Sequence, residues 1–287
     1  DDPNDRVRHE HRRELRGLRI ISSWLNDADR SAKNTLAVYT DEGYIKHYLL
    51  DMGSTLGANG ANPHRPIHGN AYLIDPRFMI AVLPQFGFHQ FPWDTVSTRY
   101  QFRETGYFES GMFHPGKWAF WGVNIVASFT DKDIEILVET GRISNRDAEQ
   151  YLIKTLIERR DKIISYWSER ITLFSNFKIS KSDKNLLLKF EDIAQKFDVF
   201  TKDKINYHFT IYDEEARDCQ YINDELTLLI DPEKCSYSFS DKQTGMKIYH
   251  IFLRYDNESL KELPGVNLYI GIDNNNKPRI IGINRYE

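Results

Sequence analysis

The chain has 287 residues, 40% hydrophobic and 28% charged, with a formal net charge of -4 at neutral pH. That length holds one large domain or two ordinary ones, and the balance of apolar and charged residues argues against a disordered or membrane-embedded chain. A slightly acidic surface gives no long-range attraction to nucleic acid or anionic lipid, and the sequence contains no run of about 18 apolar residues that would make a transmembrane helix.

In chain order, residues 1–5 are polar with Pro3 near the front, which suits the beginning of a helix. From about 5 to 25, Leu15, Leu18, Ile21 and Leu25 recur at three- and four-residue steps, predicting a helix with one buried stripe. Charged residues 6–14 read as its solvated face. Gly17 is costly inside a helix and predicts close packing against another helix. Residues 26–34 are too polar for a core, and polar loops on a rigid scaffold commonly carry function. Two short strands are expected at 35–39 and 44–50 around Asp41-Glu42-Gly43, the second ending in Tyr48-Leu49-Leu50 and delivering Asp51 at the mouth of a cleft.

Residues 54–70 form a long loop rich in Gly, Asn, Pro and His, a length that usually marks functional or mobile loops. His64, Arg65 and His68 have the chemistry to meet a phosphate, although decoration of a surface loop is the simpler reading. Phe86, Phe88, Phe91, Trp93, Tyr100 and Phe102 follow, interrupted by Pro76, Pro84 and Pro92. They predict short irregular pieces packed as an insert, with a sugar or nucleobase platform as the alternative.

Helices are expected again at 119–129 and 131–139. Thr130 and Asp133 supply a capping box for the second, and Gly141 its stop. Ser144 is the expected cap of a long helix over 145–171, with Ala148, Tyr151, Leu152, Thr155, Leu156, Ile163, Ile164 and Trp167 in helical period. Arg159, Arg160 and Lys162 beside Asp161 predict an exposed charged face. After about 172 the pattern changes to strands at 186–190, 205–212, 225–230, 237–239, 247–255, 266–272 and 279–283, separated by turn signals. Several short strands at near-regular spacing predict a small β-sandwich or barrel. The fold class is therefore α+β, with a mainly helical part over 1–171 and a β-rich domain over 172–287. That domain carries no site motif, so its default role is structural or the binding of a partner such as a protein or glycan. Cys219 and Cys235 are the only cysteines; they permit one disulfide at a spacing that is not diagnostic and lack a CxxC metal pattern, and a pair of free thiols is the simpler reading.

The chemistry-bearing residues are Asp29, Asn34 and Asp51-Met52-Gly53. Singly, Asp29 and Asn34 read as turn residues and Asp51 as a strand-end cap. Together, Asp, four residues, Asn, a short hairpin and Asp-apolar-Gly resemble the catalytic and metal-binding segment of the protein-kinase-like superfamily. The Asp29-Arg30 start is similar to lipid-kinase and other atypical members. The chain departs from them at Ser31, where His is common, and at Asn26-Asp27, where a His-Arg pair can precede the catalytic Asp. The stretches RRELRGLRIISSWLN and HYLLDMGSTLG are also similar to a group of bacterial kinase-like proteins.

The resemblance covers roughly the first 170 residues and implies a kinase-like C-terminal lobe over 1–171 with an aromatic-rich insert at 54–117. It implies Asp29 as the catalytic carboxylate, with Asp27 a less well-spaced alternative. Asn34 and Asp51 would be ligands for Mg²⁺ beside ATP, and Gly53 would allow the sharp turn after Asp51. It further implies a nucleotide-covering lobe with a phosphate-contacting Lys ahead of this segment. Only 25 residues precede the loop here, so the expectation is that this lobe lies outside the chain and that the chain as given is catalytically silent. The function expected is an atypical phosphotransferase moving the ATP γ-phosphate to an acceptor. Its rivals are a pseudokinase or scaffold with a partner-binding β domain, and a carbohydrate- or peptide-binding protein using the aromatic segment and the β domain.

Overall fold

The computed structural model describes residues 13–25, 35–53, 55–56, 58–59, 62–63, 116–200, 205–212, 218–220, 226–231, 238–241, 243–257, 259–260 and 262–285. They combine helices with antiparallel sheets, an α+β fold. The chain forms two compact units. One contains the first helix, the hairpin that follows and residues 121–163; the other takes in residues 116–120 and those from 164 onward. No helix among the described residues is long and apolar enough to cross a membrane.

In the first unit, helix α1 (Arg13–Leu25) buries Ile20, Ser22, Ser23 and Trp24, whereas Leu18, Ile21 and Leu25 of the expected stripe are only half-buried, so the buried face is turned from the one the apolar spacing picks out. The Trp24 indole donates 2.9 Å to the Leu156 carbonyl, which satisfies its N–H within an apolar setting. Helix α2 (Gly116–Ser128) belongs to this unit from Trp121 onward, where it buries Val123, Val126 and Ala127. Another helix does pack closely at Gly17: a side-chain carbon at Gly122 of α2 would lie 2.6 Å from the Gly17 carbonyl oxygen and 3.0 Å from Ile20, so Gly122 lets α2 approach α1 there.

Helix α3 (Asp131–Thr140) begins with the expected capping box. Thr130 Oγ1 accepts from Asp133 N–H at 3.1 Å, and Asp133 accepts from Thr130 N–H at 2.8 Å. Its end differs from expectation. Gly141 is right-handed (φ -71), and Arg142 takes the left-handed position instead (φ 49). Helix α4 (Arg146–Ser168) is capped by Asn145 rather than Ser144, because Asn145 Oδ1 accepts from the amides of both Asp147 and Ala148.

The exposed face expected at Arg159 and Arg160 is overturned: both are buried, while Asp161 and Lys162 are exposed. The reason is periodicity. Steps of three and four from Leu156 to Ile163 pass through 159 and 160, so both arginines fall on the buried stripe. Arg159 Nη1 reaches the Trp24 carbonyl at 3.4 Å. Arg160 donates to the Phe129 carbonyl at 2.9 Å and to Asp131 at 2.6 Å.

Strands β1 (Thr35–Tyr39), β2 (Ile45–Leu49), β3 (Ala58–Asn59) and β4 (Asn62–Pro63) belong to the first unit. The second unit is mostly sheet. Here β5 (Phe174–Ser182), β6 (Asn185–Asp192) and β9 (Thr227–Ile230) form one antiparallel sheet in the order β5-β6-β9. The second runs β13-β12-β11-β7-β8, from β13 (Pro278–Arg285) through β12 (Val266–Ile272), β11 (Lys247–Tyr255) and β7 (Tyr207–Tyr212) to β8 (Asp218–Gln220). Short β10 (Phe239–Ser240) pairs with the first residues of β11, where β7 has ended. Alternate residues of both sheets enter one core, with Leu188, Phe209, Ile251, Leu253 and Leu268 fully buried. Phe174 packs edge-on against Tyr255 at 4.8 Å within it. At the chain's last described residue, the Arg285 guanidinium donates 2.6 Å to the Phe174 carbonyl and stacks 3.4 Å over the Phe120 ring.

Strand β5 was absent from the sequence expectations. Asn176 takes a left-handed conformation (φ 49) at a register shift against β6, which separates the buried pair Phe174-Ser175 from the short alternation of half-buried Phe177 and Ile179 with exposed Lys178 and Ser180. Cys219 lies in β8, and Cys235 falls outside the described residues.

Candidate functional site

The candidate segment starts where α1 ends. Strand β1 (Thr35–Tyr39) pairs antiparallel with β2 (Ile45–Leu49), in the places the sequence predicts and with Thr35 opposite Leu49. Gly43 takes a positive φ of 85 in the connecting turn, and Thr40 Oγ1 donates 3.0 Å to the Tyr44 carbonyl. Two residues after β2 the chain reaches Asp51, which is exposed and left-handed (φ 50). Its Oδ1 accepts from the Gly53 amide at 3.1 Å, closing an Asx turn.

The role expected of Gly53 is thereby corrected. The left-handed residue that turns the chain is Asp51 itself, and Asp is among the few side chains that tolerate this region. Gly53 matters for approach: a side-chain carbon there would sit 3.1 Å from Asp51 Oδ1. The turn is fastened to the helix, for the Leu56 amide donates 2.8 Å to the Leu25 carbonyl at the end of α1. Beyond it β3 (Ala58–Asn59) and β4 (Asn62–Pro63) make a minimal two-stranded ladder.

Asp29, Asn34 and the alternative Asp27 lie outside the described residues, as do His64, Arg65, His68 and the aromatic run from Phe86 to Phe102. The structure therefore brings together Asp51 and Gly53 of the expected set. Among the described residues, no three His, Cys, Asp or Glu side chains gather to hold a metal. Asp51 supplies the hard oxygen type that Mg²⁺ selects. Leu36, Val38, Ile45, Tyr48 and Leu50 of the hairpin segment are all exposed. A lone two-stranded ribbon is marginal in water, so so much exposed apolar surface is unusual for one.

Two polar constellations escaped the sequence reading. In the sheet unit, Asp192 is 1% exposed and sits among core aromatics. Its carboxylate accepts 3.0 Å hydrogen bonds from Tyr207, Tyr255 and the Ala194 amide, so it also caps the short helix α5 (Ile193–Lys196). Burial raises the Asp192 pKa, while the two tyrosines and the backbone amides of Ala194 and Gln195 oppose the rise. Burial first, then the neighbouring Asp192, pushes the Tyr207 phenol far above its usual range. The available signal was an Asp ending the apolar run Leu186–Phe190 just before Ile193-Ala194, a strand-to-helix cap.

The second constellation is a transverse row on the outer face of the larger sheet. His250 pairs with Tyr212 on one side and Tyr269 on the other, with both ring centroids 4.7 Å away. His250 Nε2 is bonded to Asn267 Oδ1 at 2.7 Å. Opposite Tyr269 stands Gly282, where an added side-chain carbon would meet the Tyr269 ring at 3.2 Å. No family model matches this chain, and no curated protein matches it in sequence.

Proposed function

We propose that the chain is part of an atypical phosphotransferase that moves the γ-phosphate of ATP to an acceptor, with its nucleotide-covering lobe outside this sequence. In this reading the first unit is a kinase-like C-terminal lobe, and the two sheets that follow are a small sandwich appended to it. Asp29 orients the acceptor hydroxyl and takes its proton. Asn34 and Asp51 hold Mg²⁺, which neutralises charge on the transferring phosphate.

One observation carries the reading. Leu25, which precedes the stretch 26–34, accepts the Leu56 amide at 2.8 Å, and Thr35, which follows that stretch, pairs with Leu49. Both ends of the segment bearing Asp29 and Asn34 are thus tied within a few residues of Asp51. That tethering supports the reading, because it leaves both ends of the segment beside the turn that carries Asp51. The test is transfer of labelled γ-phosphate by the natural protein with its upstream sequence present. Asp51→Ala abolishes transfer; an Asp51→Ala protein that still transfers overturns the reading.

A pseudokinase or scaffold whose sheet unit binds a protein or glycan is the second reading, favoured by the half-buried row Tyr212–His250–Tyr269 on an outer sheet face. It predicts no nucleotide-induced thermal shift with the upstream sequence restored, and array binding lost on Tyr269→Ala. A Mg²⁺-dependent shift of several degrees with ATP counts against it.

A further inference from the structure

The helical unit contains an apolar cavity of about 430 Å³. Its walls include Ile21 and Trp24 of α1, Phe129, Val138 of α3, and Leu152 and Leu156 of α4. Native interiors are close-packed and leave few voids larger than a water molecule. An apolar cavity of roughly 150 Å³ already suffices to bind a benzene-sized molecule, and drug-sized pockets begin at roughly 300 Å³. This one belongs to the second class by volume.

Its chemistry is one-sided. Small-molecule pockets ordinarily add a few placed polar groups that fix orientation. Among the described residues every lining side chain is hydrocarbon except the Trp24 indole, and that N–H is engaged by the Leu156 carbonyl. Gly141 contributes backbone only, and its amide donates to Val138. Nothing in the wall recognises a hydroxyl, amide or charge, so a polar group placed there loses its hydration without compensation. The buried part of any occupant is therefore pure hydrocarbon, and its polar end stays in water. Leu137 and Leu56 line the cavity while remaining about half exposed, at 53% and 46%, so the space opens to solvent beside them.

We infer that this cavity binds the hydrocarbon chain of a small amphiphile, of the alkyl or isoprenoid class. The inference goes beyond the phosphotransferase reading and does not need it, although Leu25 and Leu56, which flank the candidate segment, also line the cavity. The test titrates 1-dodecanol into the full chain by calorimetry, with no metal or nucleotide present, so its outcome is separate from that of the transfer assay.

Saturable binding at one site is expected, with a negative heat-capacity change from buried apolar surface. 1,12-Dodecanediol, equal in length but polar at both ends, binds at least tenfold more weakly. Leu137→Trp places an indole across the opening and lowers dodecanol affinity at least tenfold. Leu137→Glu, which sets a charge there, does the same. Position 137 is exposed enough for both to fold, and circular dichroism checks that they do. Absent or non-saturable dodecanol binding overturns the inference. So does binding that neither variant weakens, or a concentration-dependent dimer that Leu137→Trp dissolves, because the occupant is then another protein chain.

Discussion

Arg160 Nη2 stands 2.6 Å from Asp131 Oδ1 while its Nη1 donates 2.9 Å to the Phe129 carbonyl, so one cation from α4 holds the start of α3. The two partners are not equivalent. The arginine side chain is buried, whereas that of Asp131 is 69% exposed and can be solvated alone. Removing the arginine strips packing from its stem and leaves the Phe129 carbonyl without this donor.

Arg160→Ala is therefore expected to cost roughly 2–3 kcal/mol and Asp131→Asn less than about 1, since exposed ion pairs contribute little. Urea denaturation of the full chain, followed by far-ultraviolet dichroism, measures both. Equal losses would show that the ion pair, and not the buried end, carries the interaction.

The approach of α1 to α2 gives a second prediction. Gly122→Ala must displace the Gly17 carbonyl, a backbone atom 2.6 Å from the added carbon, and is expected to destabilise by roughly 1–3 kcal/mol. Gly141→Ala is the control. Gly141 has an ordinary helical φ of -71, and an added carbon there would meet the Val138 carbonyl oxygen at 3.1 Å, a far milder contact than that at Gly122, so alanine there is expected within about 1 kcal/mol of the native chain. Comparable losses at the two positions in the same denaturation assay would refute the account of Gly122 as a contact glycine.

Local grammar made part of this structure legible. The Thr130–Asp133 box and the β1–β2 hairpin follow from short-range rules, and both are where those rules put them, whereas the buried face of α1 centres on Ile20 and Trp24 and leaves Leu18, Ile21 and Leu25 half-buried. Arg159 and Arg160 were misread because charge was weighed above period; burial presses the Arg159 pKa down to about 9, which still leaves it charged at neutral pH. Asn145 displaced Ser144 as a cap because both neighbours are good caps and only geometry chooses between them. The candidate site was legible as far as Asp51. Which residue turns the chain there was not, since a glycine two positions on is the usual suspect and Asp51 takes the left-handed conformation instead. Asp192 was hidden for a different reason: its two tyrosine partners lie 15 and 63 residues away, and no local pattern joins them.

That buried carboxylate yields a pH prediction. Burial raises the Asp192 pKa above the ordinary 3.8, so between those two values the folded chain binds more protons than the unfolded one. The associated stability is fully present below pH 3.8 and is lost as pH rises through the folded value. Asp192→Asn removes the titration and keeps an acceptor. The difference in unfolding free energy between the native chain and Asp192→Asn is therefore expected to fall as pH rises across that window and to flatten above it. Asp192→Ala also leaves two hydroxyls without their acceptor and a helix uncapped, so its cost relative to the native chain is larger, roughly 3 kcal/mol at the acid end of that window, and falls with pH in the same way. A difference curve rising with pH would mean that the hydrogen bonds outweigh desolvation.

Asp51 separates folding from function most directly. A non-glycine residue at φ 50 carries a conformational cost, of roughly 1–2 kcal/mol for a side chain without local hydrogen bonding. Asp51 offsets part of that through its bond to the Gly53 amide. Asp51→Ala loses the bond and keeps the cost, so it is expected to destabilise by about 1 kcal/mol. Asp51→Gly loses the bond and the cost together, at the expense of added freedom in the unfolded chain, and is expected within about 0.5 kcal/mol of native. Both lack the carboxylate that the proposed chemistry requires. A full-length Asp51→Gly protein that folds as well as the native chain but transfers no phosphate attributes the loss to a missing metal ligand. If Asp51→Gly instead retains transfer, the residue is a turn former and the phosphotransferase reading loses its central group.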